Sequence, residues 1–165
     1  MVKNILNILL NVLAIVLVYL LQIYVANNVL FFGINANLVL MYVAIIAMLY
    51  SFKVAVCIGS LIGILTDLVF YTTFGKYTII YILVTIMVSS LKKIYKEDNK
   101  ISVIIASMLA TLLCETILYI FNICETGNIA NVIYFIWNTL KLSLVNICFA
   151  YILYLILRNI YVGKN

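Results

Sequence analysis

Six long apolar runs fill the chain, at about residues 5–26, 37–52, 54–71, 77–91, 101–123 and 132–158, and only short connections separate them. A helix needs about 20 apolar residues to cross a hydrocarbon layer of about 30 Å. Runs two to four are shorter than this, but runs one, five and six reach it. Hydrophobic residues make up 68% of the 165 residues and charged residues 9%, too little polar surface to cover a soluble core. The pattern predicts an all-α transmembrane bundle of six spans, a single domain over residues 1–165. There is no linker, low-complexity tract or internal repeat, and with no proline in the chain no span carries a proline kink. The run from Ile5 to Val25 is longer than a signal-peptide core and no A-x-A-like site follows it, so it reads as a retained first span.

Lysine and arginine placement orients the bundle. With the N-terminus in the cytoplasm, the cytoplasmic side holds Lys3, Lys53, Lys92, Lys93, Lys96, Lys100, Arg158 and Lys164, whereas the outer loops hold only Lys76. Eight against one is a strong positive-inside bias. It predicts a multi-pass protein of a cytoplasmic membrane with the N-terminus and C-terminus both cytoplasmic. It also requires runs two and three to be separate helices meeting at Ser51-Phe52-Lys53, since fusing them would put the basic loop and the C-terminus on opposite sides. The chain's net charge is +5 and its lysines cluster in Lys92–Lys100, which suits anionic lipid headgroups and not nucleic acid.

Composition also limits the chemistry. The chain has no histidine, and so lacks the commonest metal ligand and the usual proton carrier near neutral pH. Cys57, Cys114, Cys124 and Cys148 form no C-x-x-C pair. Three lie within apolar runs, where cysteine behaves as a small hydrophobe, and Cys124 lies at a helix end. No nucleophile–base arrangement or metal-ligand spacing appears. The expectation is a protein without catalytic residues, metal or cofactor.

The most specific local pattern is Gly59-x-x-x-Gly63-x-x-x-Asp67 on the third run, preceded by Ala55. Four-residue steps advance about 400° around a helix, so these residues form one slowly drifting stripe. Small residues let a second backbone approach closely, whether from a neighbouring helix, a partner or a second copy of the chain. Asn4, Asn7 and Asn11 form a polar face on the first run, suited to hydrogen bonding between helices. Ser102, Ala106, Ala110 and Cys114 make a second small-residue stripe on the fifth run, with Ser107, Thr111 and Glu115 beside it. Asp67, Glu115 and Lys141 are the ionisable residues inside the spans. Counting from the cytoplasmic run ends at Val54, Ile101 and Leu157, all three fall about 20–25 Å up the bundle at 1.5 Å per residue. Charges at one level in a membrane are expected to pair or to line a cavity, which suggests a buried cluster in which Lys141 compensates Glu115, Asp67 or both. Tyr71, Tyr77 and Trp137 fall at the outer boundary, where aromatic residues favour the headgroup region.

Asn35-Ala36-Asn37-Leu38, an apolar span, the Gly59/Gly63/Asp67 pattern, Phe74-Gly75 in a short turn, another apolar helix and then a basic loop together resemble the MreD family of bacterial rod shape-determining proteins. The specific likeness covers residues 35–93; the remainder agrees in length and hydropathy. The departure is Ala36, where the family usually has proline. The resemblance implies a non-enzymatic scaffold of the cell-wall elongation machinery in a bacterial cytoplasmic membrane. It also implies a single-span MreC-like partner and links to the filament protein MreB and to RodA with its transpeptidase. The family is distantly similar in fold to the substrate-binding S components of energy-coupling-factor vitamin transporters, which supplies an alternative function. Those components commonly dock through an A-x-x-x-A face on the first helix. Here that helix reads Ala14-x-x-x-Val18.

Overall fold

The computed structural model describes residues 13–26, 28, 30, 33–70, 73–92, 100–127 and 131–161. Among these residues the chain forms six helices and no strand. Helix α1 occupies 13–26, its last turn at Gln22–Ala26 widened to a π-helix. It is followed by α2 (Leu38–Leu49), α3 (Phe52–Val69), α4 (Lys76–Leu91), α5 (Lys100–Thr126) and α6 (Val132–Tyr161). Asn4, Asn7 and Asn11 lie outside the described residues.

Helix α2 is the axis of the bundle. Its sequence, LVLMYVAIIAML, has no polar face, and eleven of its twelve residues, Leu38 to Met48, are buried. A helix that is apolar all round belongs in a core. Here α3, α4, α5, α6 and the π-turn of α1 surround it. Its start is set by Asn37, whose side chain accepts from the Leu40 N–H at 3.0 Å, the usual N-cap bond. Its end is set by Tyr50, whose extended backbone (φ −100°, ψ 165°) leads through Ser51 into α3. The break between the second and third runs therefore falls at Tyr50–Ser51.

Three of the surrounding helices, α3, α5 and α6, are long and apolar enough to cross a membrane. Leu13–Tyr24, α2 and α4 are shorter apolar helices. At 1.5 Å per residue α2 is about 18 Å long, well under a hydrocarbon core of about 30 Å. The outer helices turn Leu61, Leu65, Leu68, Ile133, Leu140 and Leu144 outward, the arrangement expected where lipid replaces water as the solvent.

Candidate functional site

The α3–α4 contact is the closest helix pairing with a sequence signature. Ala55, Gly59, Gly63 and Asp67 are all buried on α3. A Cβ on Gly63 would lie 2.5 Å from the Thr78 Cα and 3.0 Å from its backbone N. A Cβ on Gly59 would lie 2.6 Å from the Thr85 Cγ2. The glycine stripe is therefore occupied by α4 of the same chain, and it does not provide an open groove for another helix.

One turn beyond Gly63, Asp67 locks the pair. Helix α4 begins after Gly75, whose φ of +94° only glycine adopts readily, and it has no side-chain cap of its own. The Asp67 carboxylate supplies that cap from α3. It accepts from the Gly75 N–H (3.0 Å), the Tyr77 N–H (2.8 Å), the Thr78 N–H (3.2 Å) and the Thr78 hydroxyl (2.7 Å). A carboxylate at a helix N-terminus satisfies donors that the helix cannot, and it also suits the local dipole. This is why a charged residue is stable at this depth.

A second polar crossroad sits at the α2 N-terminus. Gln22, in the π-turn of α1, donates through Nε2 to the Ala36 carbonyl at 3.0 Å and accepts through Oε1 from the Leu38 N–H at 2.7 Å. Asn146, fully buried on α6, accepts from the Asn37 N–H at 2.9 Å and donates to the Thr111 hydroxyl on α5 at 3.1 Å. One amide thus joins three helices. Tyr19 donates to the Ile62 carbonyl at 2.8 Å and shares a hydrogen bond with Thr66, tying α1 to α3. Beside this crossroad lies a cavity of about 270 Å³, lined by residues that include Gln22, Asn35, Asn37, Tyr77, Tyr81 and Glu115. The opposite end of α2 is held by Lys92, whose ammonium donates to the Tyr50 carbonyl at 3.1 Å.

Among the described residues no ion pair joins Asp67, Glu115 and Lys141. Asp67 caps α4 through Tyr77, and Tyr77 and Glu115 line the same cavity. Lys141 is adjacent in sequence to the cavity residue Leu142, but its Nζ stands over the Trp137 ring, 5.5 Å from the centre. Among the described residues Lys141 forms no ion pair, whereas Lys76 pairs with Glu125 at 3.5 Å. The α5 stripe of Ser102, Ala106, Ala110 and Cys114 is buried together with Ser107 and Thr111, within a helix that packs on α2, α4 and α6. Sequence reasoning did not pick out Gln22 or Asn146. Their signal was an uncharged amide inside an apolar run, which in a membrane requires a specific partner.

The family model for rod shape-determining protein MreD matches residues 2–162 of the chain. No curated protein and no solved structure matches it.

Proposed function

Because the chain belongs to the MreD family of rod shape-determining proteins, we propose that it is a non-enzymatic scaffold of the cell-wall elongation machinery. It would cross a bacterial cytoplasmic membrane six times, with both termini cytoplasmic. The observation that carries this reading is the family match over nearly the whole chain. The fold adds support: the described residues form a tight helical bundle with apolar outer faces and little polar surface. Such a molecule acts by holding other membrane segments. Its partner would be a single-span MreC-like protein, through which it would be linked to MreB and to RodA with its transpeptidase. Since α4 closes the Gly59/Gly63 stripe, the Asn4, Asn7 and Asn11 pattern read from the sequence would supply hydrogen-bonding groups to a partner helix. Lys92–Lys100 would rest on anionic headgroups.

Co-purification with a co-expressed MreC-like partner tests the scaffold. The wild-type chain is expected to retain the partner through detergent extraction. Replacing Asn4, Asn7 and Asn11 together by leucine is expected to release it without lowering the thermal stability of the bundle. Failure of the wild-type chain to retain any single-span partner would overturn the reading. The cavity at the α2 N-terminus favours one second reading, a substrate-binding S component of a vitamin transporter. A vitamin retained by the purified protein would select it.

A further inference from the structure

Glu115 is the one carboxylate among the described residues that line the cavity beside the α2 N-terminus. It is half-buried on α5, and among the described residues no cation pairs with it. Lys76 is engaged with Glu125, and Lys141 stands over Trp137. A carboxylate inside a membrane bundle needs a compensating charge or hydrogen-bond donors. The neighbouring Gln22 amide is held through Nε2 by the Ala36 carbonyl and through Oε1 by the Leu38 N–H. The cavity is unsuited to an anion. The N–H groups of Asn37, Leu38 and Leu40, which would otherwise attract one, are already taken by Asn146, Gln22 and Asn37.

Among the described residues the lining offers the Glu115 carboxylate, the Asn35 amide and aromatic side chains from Phe70 and Tyr77. The half-buried Tyr77 ring is backed by the buried Tyr81 ring, 5.9 Å away and tilted by 57°. Carboxylate and aromatic faces together are the recognition chemistry of an organic ammonium group. We propose that this cavity binds a small organic ammonium, with Glu115 as counter-ion and Phe70 and Tyr77 as the aromatic wall. The volume of about 270 Å³ suits a group of headgroup size. The ammonium could arrive as a free amine or as the headgroup of an aminolipid.

The full-length chain in maltoside micelles provides the test. Calorimetric titration with ethanolamine and choline, with glycerol as the uncharged control, reads free-amine binding. Native mass spectrometry with phosphatidylethanolamine against phosphatidylglycerol reads headgroup binding. Wild type is expected to bind an amine in at least one format, and Glu115→Gln to bind it about tenfold or more weakly, the effect of removing one charge-assisted contact. Binding in the first format assigns a free amine, and binding only in the second assigns a lipid headgroup. Leu118→Trp, which fills the cavity and leaves Glu115 in place, is expected to abolish binding as well, and keeps the test open if Glu115→Gln fails to fold. The inference is overturned if neither format shows binding to wild type, if both variants bind as wild type does, or if glycerol or phosphatidylglycerol binds as well as the amines.

Discussion

At the scale of single residues, the polar groups of this bundle divide by whether a backbone donor meets them. Asp67 is met by three N–H groups and a hydroxyl. Asp67→Ala is therefore expected to cost about 2–4 kcal/mol, since it leaves several donors of α4 unsatisfied, and Asp67→Asn about half of that, since one acceptor oxygen remains. Chemical unfolding in detergent, followed by circular dichroism, would check the order; equal stability of the two variants would contradict the cap. Tyr42 is the opposite case. It is buried in the middle of α2, and its hydroxyl has no partner among the described residues. A buried hydroxyl without a partner costs free energy that phenylalanine does not incur. Tyr42→Phe is thus expected to leave stability unchanged or to raise it by up to about 1 kcal/mol. A loss in the same unfolding assay would mean that the hydroxyl is satisfied in the membrane.

At the scale of helices, the α3–α4 pair sets a graded expectation. A methyl group on Gly63 meets backbone, which cannot yield without separating the helices, whereas one on Gly59 meets a single methyl of Thr85. Gly63→Ala is expected to cost about 2–3 kcal/mol, at the upper end for overpacking, and Gly59→Ala less. Thr85→Ala should rescue Gly59→Ala and not Gly63→Ala. Thermal unfolding of the four variants decides this, and rescue of both would place the contact elsewhere. The small-residue stripe could be read from the sequence, because four-residue spacing is a local pattern, but which helix would occupy it could not. The helix limits were legible for the same reason: the run at 101–123 became Lys100–Thr126, and that at 132–158 became Val132–Tyr161. The role of Asp67 was not legible. Its partners lie across a turn, and the sequence shows depth and charge but not the direction of α4. Gln22 and Asn146 escaped for a related reason, since the Asn37–Asn146 bond joins residues 109 apart and no local period announces it.

At the scale of the whole molecule, the arrangement of charge predicts sidedness. Both Tyr50 and Lys92 belong to the end of the bundle opposite the Gln22–Asn37 crossroad. In the proposed orientation, with the basic residues in the cytoplasm, the cavity beside Glu115 would face outward. In a chain without native cysteines, a cysteine at Lys96 is expected to resist an impermeant maleimide in intact cells, and one at Phe74 to react. Reaction at Lys96 from outside would overturn the six-span orientation and move the cavity to the cytoplasmic side.

The burial of α2 has a consequence for how the protein is made. A segment of twelve apolar residues is a weak candidate for stable independent insertion as it leaves the ribosome, because it is too short to replace a bilayer's thickness of lipid. Its sheath includes α6, and the Asn146 amide that receives its first turn is synthesised more than a hundred residues later. Until α6 arrives, this apolar helix is incompletely enclosed. Enclosure of α2 therefore waits for α6, the last of the described helices in chain order.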